Sequence, residues 1–164
     1  MILDLRQNGG GSLSGAWNLT DFLGPSSVDN QIMFSLQQQS QGFDYRFGVY
    51  GSNLGITDPS KFVILIDSSS ASASELTSAA LKDLGIAKLM GGITYGKGVG
   101  QNVVGLIDGS GVYITSFELL SPRGNSWHDL GVSPDYPLST ALPATPADDT
   151  LLQAAIDFLE NGSV

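Results

Sequence analysis

The sequence has no cysteine, a single histidine and few charges of either sign. Without cysteine there is no disulfide, no thiolate nucleophile and no cysteine-ligated zinc, and the redox compartment stays open. Basic residues are scarcest: 7 Lys+Arg face 16 Asp+Glu, for a net charge of −9. That balance excludes the clustered basic surface a phosphate backbone requires, so nucleic acid is not expected as a partner. Charged residues make up 14% where about a quarter is usual. The longest apolar run, Phe62 to Ile66, is far too short to span a membrane. The first residues, Met1 to Arg6, lack the basic and small-residue flanks of a signal peptide. No His/Asp/Glu cluster has metal-ligand spacing, and no cofactor is called for. What remains is 164 residues, 41% hydrophobic, rich in glycine and serine. This is enough for one domain, residues 1–164, with its own core and many turns.

Hydrophobic spacing gives a coarse order of elements. Ile2 to Leu5 reads as a strand that ends in Asn8-Gly9-Gly10-Gly11. A helix capped by Ser12 or Ser14 follows, carries Leu13, Trp17 and Phe22, and stops at Gly24-Pro25. Alternation of Ile32, Phe34 and Leu36, then of Phe43, Tyr45, Phe47 and Val49, predicts a hairpin with Gln37 to Gly42 as its polar tip. Phe62 to Ile66 has no alternation and so suits a central strand covered on both faces. Leu76, Ala79, Ala80 and Leu84 then mark a helix ending at Gly85, and Ala87 to Met90 the next strand, which makes a strand-helix-strand unit. Val103 to Ile107 and Val112 to Thr115 flank the turn Asp108-Gly109-Ser110-Gly111 as a second hairpin. Asp148-Asp149-Thr150 opens a last helix with a stripe of Leu152, Ala155, Ile156 and Leu159. The expectation is an α/β domain of βαβ units plus β-hairpins.

Three side chains bear on chemistry. Ser72, in Ser70-Ala71-Ser72-Ala73-Ser74-Glu75, falls where a buried strand feeds a helix, so unpaired helix N–H groups lie next to its hydroxyl. That suits acyl transfer, although Ser72 with Glu75 also reads simply as a helix capping box. His128, in Trp127-His128-Asp129, permits a Ser-His-Asp triad by composition and is equally an ordinary loop residue. Lys97, in Gly96-Lys97-Gly98, is the stronger base, because small apolar neighbours such as Gly92, Ile93 and Val99 suit a lysine that must work as a neutral amine. The stretch from Gly91 to Lys97 approaches a nucleotide-binding loop, but Gly98-Val99-Gly100 offers neither the hydroxyl for a metal ion nor a helix start.

The ordered set Leu3-Asp4-Leu5-Arg6-Gln7-Asn8-Gly9-Gly10-Gly11, Ser70 to Leu76 and Thr94 to Gln101 resembles the carboxy-terminal processing (tail-specific) serine peptidases. Asp108-Gly109, Ser121-Pro122-Arg123-Gly124 and Gly131-Val132-Ser133-Pro134-Asp135 extend it over nearly the whole chain except residues 25–60. The resemblance implies a crotonase-like and ClpP-like core. It implies Ser72 as nucleophile, Lys97 as general base and Gln101 as the residue that orients it. The backbone N–H groups of Ala73 and of Gly10, with Gly11 next, would form the oxyanion hole. It further implies a polypeptide substrate and a location outside the cytoplasm, and it leaves homo-oligomerisation open. Gly9 and Tyr95 depart from the family's usual proline and phenylalanine. The export signal, helical segment and PDZ domain common upstream in the family are not found in these residues, so a catalytic core fragment is expected. Two rivals share the fold: a binding or scaffold module with idle chemistry, and an acyl-CoA-handling crotonase-like enzyme.

Overall fold

Phe62 to Ile66 is wholly inaccessible to solvent, and the rest of the molecule is arranged to keep it so. In the computed structural model, which describes residues 1–24, 32–38, 43–48, 56, 58–141 and 143–162, this run forms β4 (Val63–Ile66). Side chains alternate across it: Phe62, Ile64 and Ile66 enter one apolar cluster, Val63 and Leu65 another. Both faces are apolar because both are covered, which is why the sequence shows no alternation. β4 pairs in parallel with β1 (Ile2–Asp4) and β5 (Lys88–Gly91), and β8 (Tyr136–Pro137) completes a sheet of order β1-β4-β5-β8. The two-residue β8 has no signature in the sequence.

The first cluster holds Ala16 and Leu23 of α1 (Leu13–Leu23) and Leu76, Ala79, Ala80 and Leu81 of α2 (Ala73–Asp83). Ser12 caps α1 by accepting the Gly15 N–H at 3.3 Å. Every residue from Ala73 to Leu81 is buried, so α2 is a central helix rather than a surface one. The second cluster holds α3 (Thr150–Asn161) through Leu151, Ala155 and Phe158. Of the expected stripe Leu152, Ala155, Ile156 and Leu159, Ala155 is buried, while the other buried positions, Leu151 and Phe158, fall one residue before Leu152 and Leu159, which pack at the border.

A second, antiparallel sheet has the order β3-β2-β7-β6. It consists of β2 (Ile32–Gln38), β3 (Phe43–Gly48), β6 (Val99–Gly105) and β7 (Gly111–Leu120). The first expected hairpin forms, but Gln37 and Gln38 pair with Asp44 and Phe43 instead of turning. The rest of the expected tip, Gln39 to Gly42, and Val49 lie outside the described residues. The second hairpin is longer than its apolar core suggested. Val99 to Asn102 joins the strand although glycine and amides interrupt the alternation, because backbone pairing with Ile114 to Glu118 holds it.

One ion cluster ties the end of β1 to the start of α3. The Arg6 guanidinium donates to both Asp149 oxygens at 2.9 and 2.7 Å and to Asp4 Oδ2 at 2.6 Å. Asp149 in turn accepts the Leu152 N–H at 3.0 Å and caps α3. Hydrogen bonds from Arg6 hold the Asp149 carboxyl below the usual carboxylate range, and Asp4 and Asp149 together raise the Arg6 guanidinium. Only a planar fork serves both partners at once. Arg6→Lys is expected to lower unfolding stability by about 2 kcal/mol, read as a lower denaturant midpoint at unchanged slope.

Candidate active site

The turn after β4 is fastened to the glycine-rich segment after β1. Asp67, almost fully buried, accepts from Gln7 N–H and Nε2 at 3.1 and 2.6 Å and from the Ser69 and Ser70 N–H groups. Ser70 Oγ donates to Leu5 O at 2.8 Å, and Ala71 N–H to Asn8 O at 3.0 Å. Burial pushes the Asp67 carboxyl up, but the donors from Gln7, Ser69 and Ser70 outweigh it and leave it below the usual range.

Ser72 emerges from this turn with φ 57° and ψ −114°, a left-handed backbone that a residue with a Cβ adopts rarely and at a cost of about 1–3 kcal/mol. Gly10 lies against it at φ +92°, where a Cβ would stand 2.5 Å from Ala71 O and 2.7 Å from Ala73 N. Only glycine allows this approach. The Ala73 and Gly11 N–H groups make no hydrogen bond among the described residues, whereas the Gly10 N–H donates to Asn8 Oδ1 at 3.0 Å. Gly10 is thus next to the Ser72 turn with its donor already engaged. Ala73 and Gly11 have theirs free. Asn8, Gly10, Gly11, Leu19, Ala73 and Thr77 line a small cleft of about 170 Å³ beside them.

Lys97 reaches this region through one carboxylate. Glu75, on the first turn of α2, has no solvent exposure. Its Oε2 accepts Ser72 N–H at 2.7 Å and Lys97 N–H at 2.8 Å, while Oε1 accepts Gly96 N–H at 2.6 Å and Thr94 Oγ1–H at 2.5 Å. Thr94 Oγ1 also accepts Val132 N–H at 2.7 Å, which extends the link to the loop before β8. The backbones of Ser72 and Lys97 therefore meet on a single oxygen atom. Gly96, at φ +93°, makes the turn that presents its own and the next N–H to Glu75.

The ends of the two side chains are not joined. Lys97 is half-buried, and its Nζ makes no hydrogen bond or ion pair with Ser72 or any other described residue. Gln101 is exposed on β6, and its Nε2 donates to Thr115 Oγ1 at 3.5 Å rather than to Lys97. His128 Nδ1 lies 3.3 Å from Gly96 O and its Nε2 3.9 Å from Asp129 Oδ2, with no bond to Ser72. After Lys97 the chain enters β6 and not a helix, which removes the nucleotide-loop alternative. Val99, Gln37, Gln38, Thr115, Phe117 and His128 line a larger cleft of about 600 Å³ beyond Lys97. In sequence Glu75 has a role only as a helix cap, Thr94 stands in a motif without a role, and Asp67 has none. No spacing signal exists for them, because their partners are backbone groups brought from distant segments.

A strand-to-helix turn thus carries Ser72, the Ala73 and Gly11 N–H groups beside it are unbonded among the described residues, and the Lys97 turn is locked onto the same helix through Glu75. The model of peptidase family S41 matches residues 1–138, and the chain belongs to that family. The "Carboxyl-terminal-processing protease" of Synechocystis sp. is 34% identical over 165 residues, covering 98% of this chain and 37% of that protein. The "C-terminal processing peptidase, chloroplastic" of Tetradesmus obliquus is 37% identical over 138 residues, covering 84% and 28%. The chain thus spans about a third of the length of these relatives. Among solved structures, a photosystem II D1 C-terminal processing protease superposes with TM-score 0.77 at 34% identity, over 94% of this chain and 38% of that one. Mature CPAF, at TM-score 0.69 and 13% identity over 99% of this chain and 44% of that one, shares the fold. The crotonase-like, ClpP-like α/β core expected from the sequence agrees with this architecture.

Two outcomes follow from the buried carboxylates. Asp67 and Asp149 both sit below their unfolded values, so they contribute stability that is complete above the unfolded carboxylate range and lost as pH falls through the folded values. Unfolding stability is expected to decline progressively below about pH 4–5, measured by denaturant melts across pH, and less steeply in Asp149→Asn. Glu75→Gln puts an amide NH₂ where only donors point. It is expected to cost about 2–3 kcal/mol and to speed amide hydrogen exchange at Ser72, Gly96 and Lys97 by at least tenfold.

Proposed function

We propose that the protein is a serine endopeptidase that cuts polypeptides near their carboxy termini, with Ser72 as nucleophile and Lys97 as general base. One observation supports this most: a single Glu75 oxygen holds both the Ser72 and the Lys97 amides. A capping role alone requires only the first of these bonds. In the proposed reaction neutral Lys97 Nζ takes the Ser72 hydroxyl proton as Ser72 Oγ bonds to the scissile carbonyl carbon. The oxyanion is held by the N–H groups of Ala73 and of the glycine segment. Gly11 is ready for this, and Gly10 becomes so once its N–H leaves Asn8 Oδ1. Collapse breaks the C–N bond, Lys97 returns the proton to the leaving amine, and water then hydrolyses the acyl-enzyme by the same relay. Gln101 orients Lys97 after turning from Thr115.

The open Ser72–Lys97 pair suits a resting arrangement that tightens on substrate, since catalytic hydrogen bonds are often long before binding. The same openness favours the rival reading, a binding or scaffold module of this fold with idle chemistry. A location outside the cytoplasm belongs to the same proposal as the activity. Cleavage of an unstructured peptide by the protein separates the readings. Ser72→Ala and Lys97→Ala are each expected to lower kcat by at least a thousandfold, and His128→Ala by less than about threefold. Loss with His128→Ala but not with Lys97→Ala overturns the assignment. Cleavage that is absent from the unsubstituted protein selects the idle module.

A further inference from the structure

The chain contains two Asn-Gly pairs, Asn8-Gly9 and Asn161-Gly162, and all of these residues are exposed. Glycine after asparagine leaves the main-chain nitrogen unshielded, open to attack on the asparagine's own side-chain carbon. The fold treats the two pairs differently. Asn161 lies in the last turn of α3, and the Gly162 N–H, in a left-handed cap, donates to Phe158 O at 2.8 Å. That nitrogen is committed. The Gly9 N–H makes no hydrogen bond among the described residues, and a Cβ at Gly9 would meet nothing within 4 Å. Asn8 Oδ1 accepts the Gly10 N–H at 3.0 Å, which turns the carboxamide along the chain and closes a hydrogen-bonded ring through the Gly9 amide. The Asn8 main chain is held in place, since its N–H donates to Leu5 O at 3.2 Å and its carbonyl accepts the Ala71 N–H at 3.0 Å.

We propose that Asn8 is a self-modification site, deamidated through a cyclic imide to aspartate and isoaspartate with water as the only co-reactant. A peptide nitrogen is a poor nucleophile until it is deprotonated. Once it has given its proton to solvent base, the Gly9 nitrogen bonds to Asn8 Cγ, and the carbonyl electron pair moves onto Oδ1. The Gly10 N–H already points there, so it stabilises this oxyanion as it forms. Collapse breaks the Cγ–Nδ2 bond, and the amide nitrogen takes up a proton and leaves as ammonia. Water then opens the imide at either carbonyl. Attack at Cγ gives aspartate on an unchanged main chain. Attack at the main-chain carbonyl carbon gives isoaspartate: the chain now runs through Cγ, one methylene longer, and the former main-chain carbonyl becomes a free carboxylate. Both products act on the glycine segment. Aspartate places a negative charge at the Gly10 N–H, near the unbonded Ala73 and Gly11 donors. Isoaspartate removes the main-chain acceptor of the Ala71 N–H and lengthens the connection to Gly10, whose approach to Ala71 and Ala73 leaves no room even for a Cβ. The loss of oxyanion donors that follows rests on the peptidase reading; the chemistry at Asn8 does not.

The second Asn-Gly pair supplies the comparison within one molecule. The protein is incubated in mildly alkaline buffer, folded and in parallel unfolded in urea, and peptide mass spectrometry reads amide loss at each asparagine. In urea the two pairs are expected to react within about threefold of each other, and in the folded protein Asn8 at least tenfold faster than Asn161, whose following N–H is engaged. Gly9→Ala, for which there is room, is expected to slow the reaction at Asn8 at least tenfold, and isoaspartyl methyltransferase to label the aged unsubstituted protein but not this variant at that position. Amide hydrogen exchange at Ala71 is expected to be at least tenfold faster in the isoaspartyl fraction. Asn8 as slow as Asn161 in the folded protein overturns the inference. The same tenfold preference in urea also overturns it, because local sequence and not the fold then sets the rate. Failure of the peptidase reading is distinct: freshly prepared protein then cleaves no peptide while Asn8 still converts. With both readings correct, cleavage declines in proportion to the modified fraction, and Gly9→Ala keeps its own initial rate through the same incubation.

Discussion

A single buried carboxylate carries the geometry of the site. Glu75 begins a helix, which the helix dipole and the Ser72 N–H both favour, and it then spends its remaining acceptor capacity on the Gly96, Lys97 and Thr94 donors. All four partners are donors, so the carboxylate is fully satisfied without solvent, which is the condition for burying it at all. Because two of these donors are the amides of Ser72 and Lys97, the spacing of the Ser72 turn and the Lys97 turn is set by one side chain. Thr94 carries the constraint onward to Val132 and thus to the strand that closes the parallel sheet.

Around this centre the protein stores strain where it is useful. Ser72 holds a left-handed conformation that its own Cβ opposes, and Gly10 packs against it more closely than any side chain allows. Asp67 and Ser70 make the turn stiff enough to hold that state by binding Gln7, Leu5 and the turn's own amides. The result is a hydroxyl at the mouth of a helix with Ala73 and Gly11 N–H groups free nearby. Among the described residues Lys97 Nζ has no partner and Gln101 meets only Thr115, so rigidity resides in the backbone and adjustment in the side chains.

The arm formed by β6 and β7 is the opposite case. Its strands are well paired with each other, and only the base of β7, at Phe117 and Leu119, reaches the core. Contiguous apolar surface open to solvent, as here, is uncommon on a folded domain. Its root, at Val99, Thr115 and Phe117, is shared with the larger cleft.

Much of this was written in local sequence. The buried run Phe62 to Ile66, the Ser12 cap, the helix after Ser72 and the turn at Asp108-Gly109 depend on neighbouring residues, and their spacing alone announces them. The ordered motifs around Gly10, Ser72 and Lys97 resembled one family, and the fold brings the Ser72 and Lys97 amides together on Glu75. Other features were decided only in three dimensions. The short β8, the shifted stripe of α3, the occupied N–H of Gly10 and the double duty of Glu75 all depend on groups far apart in the chain. Backbone amides carry no residue-specific signature, so a carboxylate that will bind four donors looks in sequence like one that caps a helix.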